Sequence, residues 1–182
     1  MGLRRQDIHG KAGNFKHDAV SGPDHVLARY KPHLRFGFYG IANTPTIKQI
    51  YEEQYGGQAE FFYPCVDIEI FHPPLEAIPG SPDPFTIFFY GRPNHARNGF
   101  ELGAQALRIL KKKYGEHVRL ISAGDRWDEN DYSLKGVVEN MGLLSYNETA
   151  ELYQKCHAGL VMMFTRHPSY LPFELMASGS LV

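Results

Sequence analysis

The stretch FTIFFYGRPNHARNGFELGAQALRILKKKYGEHVRLISAG, residues 85–124, decides the fold. It opens on FTIFFYG (85–91), an apolar run of the kind buried on both faces of a parallel sheet. A helix is predicted from about Asn98 to Tyr114, because Phe100, Ala104, Leu107, Leu110 and Tyr114 recur at spacings of 4, 3, 3 and 4 and form one stripe. VRLISAG (118–124) supplies the next strand. Strand, helix and strand in this order make a βαβ unit with a right-handed crossover.

The alternation continues downstream. VVENMGLL (137–144) reads as a shorter strand, and Ser145-Tyr146-Asn147-Glu148 fits a capping box that starts a helix running to about Lys155. AGLVMMF (158–164) is another apolar strand, and Pro172 suits the first turn of a helix in LPFELMASG that ends before Gly179. The whole predicts an α/β domain of the Rossmann-like, doubly wound type, with a parallel sheet in a three-layer α/β/α arrangement.

Upstream, HPPLEAIPGSPDP (72–84) holds five of the chain's twelve prolines and reads as a linker. Before it, AEFFYPCVDIEIF (59–71) has strand character, and FGFYGIAN (36–43) reads as a short buried strand. Between them Thr44-Pro45 opens a helix that Gly56-Gly57 closes. Residues 1–35, with seven Lys/Arg against three acids and four histidines, read as an irregular or disordered extension. The expected division is therefore 1–35 extension, 36–71 end of an amino-terminal domain and crossover, 72–84 linker, and 85–182 main domain.

Composition narrows the function. With 43% hydrophobic and 21% charged residues the chain is globular rather than disordered, and 19 Lys+Arg against 20 Asp+Glu argue against a nucleic-acid binder. Cys65 and Cys156 form no CxxC pair and read as free thiols of a reducing compartment. No apolar run approaches a membrane span and Met1 to Arg35 resembles no signal peptide, so a cytoplasmic location is expected, with a peripheral seat at a membrane left open.

In doubly wound sheets ligands bind beyond the carboxyl ends of the strands. That directs attention to Gly91–Asn98, Gly124–Tyr132, Gly142–Asn147 and Thr165–Glu174. GRPNHARNG (91–99) joins a strand to a helix start and carries Arg92 and Arg97, a combination suited to a diphosphate; alternatively, Arg92 pairs with a carboxylate and stitches the loop down. No GxGxxG or P-loop is present, so dinucleotide oxidoreductases and P-loop ATPases lose their fingerprints. Glu174, in the first turn of the last helix, either caps that helix or accepts hydrogen bonds from a ribose diol, with main-chain N–H groups of Ser169, Tyr170 and Leu171 facing phosphate. The acids Asp125, Asp128, Glu129 and Asp131 read as solvated loop residues, so no metal and no separate cofactor is expected.

These segments also resemble a family. FYPCVDIEIFHP, FFYGRPNHARNGFELGAQAL, GLLSYNETAELYQKCHAGLVMM and HPSYLPFELMASGSLV resemble, in order and spacing, the landmarks of the carboxyl-terminal, donor-nucleotide half of a retaining GT-B glycosyltransferase of the group 1 or family 4 type. Their wording is closest to rhamnosyltransferase-like enzymes of bacterial surface polysaccharides. The resemblance covers about 36–182 and implies that Arg92 and Arg97 neutralise a donor diphosphate and Glu174 binds the ribose. It implies further that the loop at Gly124 borders the donor, main chain near Leu143 and Leu144 reads the base, and Ser169 to Leu171 brace phosphate and sugar. The implied partner is a dTDP-, UDP- or GDP-linked sugar, with a saccharide acceptor bound by an amino-terminal domain. Where the family commonly has a second glutamate, this chain has Arg166 followed by His167, so contacts to the donor sugar are expected to differ.

The reaction so implied is glycosyl transfer to an acceptor hydroxyl with retained anomeric configuration. Ser180-Leu181-Val182 reads as a strand cut as it begins, and a fragment inactive alone is the expectation. A non-catalytic nucleotide-binding or interaction module of the same fold is the alternative reading, and a nucleotide-sugar epimerase of related architecture a third.

Overall fold

Strand β1 (Tyr39–Ala42) and strand β2 (Gln58–Phe61) form a two-stranded sheet, and helix α1 (Pro45–Tyr55) connects them. The structure, a computed structural model, describes residues 38–63, 65–75, 84–164 and 169–182. The 1–35 extension, most of the proline-rich segment, and Arg166 with His167 lie outside the described residues. Two compact units divide between Glu60 and Phe61. Helix α1 starts as the sequence predicts: the Thr44 hydroxyl accepts from Ile47 N–H at 3.1 Å, Pro45 occupies the first turn, and Gly56 closes it with a left-handed φ of 66°.

The second unit holds strand β3 (Phe85–Tyr90), helix α2 (Phe100–Tyr114), strand β4 (Val118–Ala123), strand β5 (Glu139–Asn140), helix α3 (Tyr146–Tyr153), strand β6 (Ala158–Leu160) and helix α4 (Leu171–Ala177). The strand order is β5-β4-β3-β6 and every pairing is parallel. β3 lies opposite β4 from Phe85↔Val118 to Tyr90↔Ala123, and opposite β6 from Ile87↔Ala158 to Phe89↔Leu160. The chain runs outward from β3 to β5 and then returns to the far side of β3. Strand order therefore reverses there, and in such sheets a crevice opens at that point.

Both faces of β3 are covered, as a doubly wound sheet requires. Phe88 belongs to a core cluster with Phe71, Ile121, Tyr153 and Leu175, whereas Phe89, its neighbour in sequence, packs with Phe100, Ala104, Leu107 and Leu120. Successive strand residues point to opposite faces, so two adjacent phenylalanines seed two cores. The helical stripe holds for Phe100, Ala104 and Leu107, but Tyr114 is 46% exposed. Gly103 is buried instead, because a Cβ there would collide with the Phe89 ring.

Several strands are shorter than their apolar runs. β2 ends at Phe61 rather than running through 71, since Asp67 builds a turn: its side chain accepts from Glu69 N–H at 3.1 Å and its carbonyl from Phe71 N–H at 2.8 Å. The 137–144 run yields only two paired residues, and the 158–164 run only three.

Candidate functional site

At the carboxyl ends of β3 and β4, beside the reversal in strand order, a cavity of about 440 Å³ opens. Seven of the nine sequence-predicted residues line it: Gly124, Leu143, Leu144, Ser169, Tyr170, Leu171 and Glu174. They arrive from three separate stretches of chain. Main-chain ties fix their arrangement: Gly124 N–H donates to the Gly142 carbonyl at 2.9 Å, joining the end of β4 to the segment before Leu143. Immediately after Leu144, the predicted capping box is present: the Ser145 hydroxyl accepts from Glu148 N–H at 3.3 Å and the Glu148 carboxylate from Ser145 N–H at 2.8 Å.

Gly124 is obligatory twice over. Its φ is 126°, and a Cβ would stand 2.6 Å from the Tyr90 ring and 3.2 Å from Arg92 Cγ. A side chain there would occupy the space in which β3 delivers Tyr90 and Arg92.

The cavity is walled by five aromatic rings, Phe88, Tyr90, Tyr146, Tyr153 and Tyr170. Phe88, Tyr90, Tyr146, Thr149 and Tyr153 were missed by sequence reasoning, although the signals exist: 88 and 90 share one face of a strand, and 146, 149 and 153 share one face of a helix. Tyr153 is 2% exposed and edge-on to Phe88; burial first, and then the Glu174 carboxylate, push its hydroxyl pKa up. The Tyr146 hydroxyl is raised for the same reasons, with Asp67 and Tyr170 contributing. Among the described lining residues, Glu174 alone carries a carboxyl group, and burial raises its pKa.

The arginines sit outside this lining. Arg92, half-buried, stands against the lining residue Tyr90, its guanidinium carbon 5.8 Å from the ring centroid. Nη1 donates to the Tyr90 hydroxyl at 3.3 Å, and Nη2 lies 2.8 Å from His95 Nε2. The alternative of a stitching carboxylate finds no such bond to Arg92 among the described residues. Arg97 is exposed, on a 3₁₀ turn Ala96–Asn98 that precedes α2, and its carbonyl accepts from Phe164 N–H at 2.8 Å. α2 itself begins at Phe100, behind Gly99, rather than at Asn98. Structure thus gathers the carboxylate, Gly124 and the main-chain segments into one hollow, sets Arg92 against its Tyr90 wall, and leaves Arg97 off the lining.

The acidic loop has a local task. Asp128 accepts from Asn130 N–H at 2.8 Å and from the Asn130 amide at 2.6 Å, capping the turn Glu129–Tyr132, and these bonds lower its pKa. Among the described residues no group of three or more metal-ligating side chains occurs, and no helix is long and apolar enough to cross a membrane. Chemically, the hollow suits a flat, hydroxyl-bearing ligand whose anionic end lies toward Arg92.

The chain is 47% identical over 146 residues to the O-antigen biosynthesis protein RfbC of Myxococcus xanthus, covering 80% of this chain and 11% of that protein. Sucrose-phosphate synthase from Thermosynechococcus elongatus superposes with a TM-score of 0.64 at 19% identity, over 86% of this chain and 43% of its own. Anabaena HepE, solved in complex with UDP and glucose, superposes with a TM-score of 0.60 at 18% identity, over 87% and 48%. The chain thus spans less than half the length of each of these proteins. Residues 85–182 match the family model described as the WsaF C-terminal domain. That match takes in the parallel sheet that reverses at β3 together with its helices, and it covers more than half of the chain: the chain belongs to the WsaF C-terminal domain family and has the α/β fold of a GT-B glycosyltransferase's carboxyl-terminal domain.

Proposed function

We propose that this chain is the donor-binding portion of a glycosyltransferase of surface polysaccharide synthesis, acting in the cytoplasm on a nucleoside diphosphate sugar. The observation that supports this most is a half-buried carboxylate, Glu174, set without opposing charge among the described lining of an aromatic cavity whose Tyr90 hydroxyl accepts from Arg92. A diphosphate is repelled by that carboxylate and attracted by the guanidinium. The nucleoside therefore points inward and the diphosphate toward Arg92.

In this orientation Glu174 accepts hydrogen bonds from the ribose, main chain at Leu143 and Leu144 meets the base, and Ser169 to Leu171 brace phosphate and sugar beside Gly124. Arg92 contacts the diphosphate, and Arg97 adds field from the neighbouring turn. In the reaction the anomeric C–O bond to diphosphate breaks and a bond to the acceptor oxygen forms with retained configuration, the acceptor hydroxyl proton passing to the departing diphosphate. Charge on the departing diphosphate is stabilised by the preplaced cations without a metal. The saccharide acceptor is bound by an amino-terminal domain of the whole enzyme. HepE, which was solved with UDP, lends support through its shared fold.

Isothermal titration of the folded chain with UDP, dTDP and GDP tests this reading. At least one is expected to bind, and Arg92→Glu and Glu174→Ala are each expected to weaken it by tenfold or more, about 1.4 kcal/mol. No heat from any of the three overturns the reading and favours a non-catalytic interaction module.

A further inference from the structure

Among the described residues the side-chain hydrogen-bond partners of Arg92 are Tyr90 and His95, with no carboxylate, and this has a chemical consequence. A guanidinium only donates hydrogen bonds. The 2.8 Å approach of Arg92 Nη2 to His95 Nε2 therefore makes that nitrogen the acceptor, which leaves the imidazole neutral with its proton on Nδ1. The other anchor, the Tyr90 hydroxyl at 3.3 Å from Nη1, is neutral as well. A carboxylate in the place of His95 would fix the arginine equally well but cancel its charge.

We propose that His95 is a positioning residue: as a neutral imidazole it accepts from Arg92 and fixes the guanidinium against the cavity's Tyr90 wall with its full charge free for an anionic ligand. The proposal rests on the donor-binding reading above, in which that ligand is the diphosphate. The surroundings support it. Burial, and then Arg92 and Arg97 from the same loop, hold the His95 pKa below its ordinary value, against a smaller opposing effect of Asp125 from the loop after β4. Tyr90, at the end of β3, is the further titratable group at the pair. His95 thus stays neutral at physiological pH. Acidification reverses the arrangement: a protonated Nε2 would face Arg92 donor to donor, with like charges, and the guanidinium would be released.

The test compares His95→Gln, which keeps an acceptor and does not titrate, with His95→Phe, which keeps a ring and has no acceptor. UDP and dTDP affinities are measured by titration calorimetry from about pH 8 down to about pH 4.5, well below the ordinary imidazole value of about 6.5, because the His95 pKa is held beneath it. Near the upper end His95→Gln is expected to bind like the wild type and His95→Phe about tenfold more weakly, as loss of a hydrogen bond to a charged group implies. On acidification the wild type is expected to lose affinity more steeply than His95→Gln; titration of the ligand and of Glu174 is common to both and drops out. Equal binding by His95→Phe and wild type, or superimposable pH curves for wild type and His95→Gln, overturns the proposal. Should His95→Phe fail to fold, the pH curves decide.

If the wild type binds no nucleotide, the donor-binding reading fails separately. His95 is then judged by nitrogen NMR of the imidazole and guanidinium. A protonated Nδ1, an accepting Nε2 and Arg92 signals that move as His95 titrates uphold it, whereas the opposite tautomer or unmoving Arg92 signals overturn it.

Discussion

Glu174 illustrates how a ligand-ready group weighs on its own fold. Burial raises its pKa, so the folded state disfavours the charged form. The associated stability is fully present below the unfolded carboxyl value of about 4.3 and is lost as pH rises through the higher folded value. Glu174→Gln is therefore expected to raise the melting temperature near neutral pH, with the gain vanishing below about pH 4, as thermal unfolding across pH would show; an unchanged or lower melting temperature at neutral pH contradicts this. Gly103 makes the reverse case. Gly103→Ala improves helix propensity yet drives a methyl into the Phe89 ring, and a net loss of about 1–3 kcal/mol is expected in denaturant unfolding. The sequence pointed to Glu174 because strand order fixes where ligands lie. It could not show that the Arg97 carbonyl is tied to Phe164, 67 positions downstream in the chain.

At the scale of elements, legibility followed the range of the interactions. The capping box of α3 spans four residues and was readable from them alone. Ser145→Ala is expected to cost about 1 kcal/mol, measurable by chemical denaturation. The bonds from Ser145 hold the Glu148 carboxyl below its usual value. Its contribution is thus present at neutral pH and is lost as pH falls through that depressed value, so the penalty of Ser145→Ala should shrink in acid. Strand lengths were not readable in this way. Apolar runs mark what is buried, whereas pairing ends where a partner ends, and β6 pairs with β3 for only three residues before Val161 leaves the ladder. In α2 the stripe correctly marked Leu107 as core, and Leu107→Ala is expected to destabilise by about 2–5 kcal/mol.

For the whole molecule, the two compact units give a ligand different reach in each. UDP at about 100 times its dissociation constant adds about 2.7 kcal/mol to whatever unit binds it. Amide exchange is expected to slow across β3, β4 and α3 and to stay unchanged in α1, since the cavity is built entirely from the second unit. Equal slowing in both units would contradict a site so confined.

The sheet order also governs the order of events on the ribosome. When β3 leaves the exit tunnel, one flank is still open and is closed only by β6, roughly seventy residues later. At about 5–20 residues per second that is several seconds of synthesis. Through that interval the Phe88 side of the nascent chain has neither its outer strand nor the helix that follows, and its apolar surface stays uncovered.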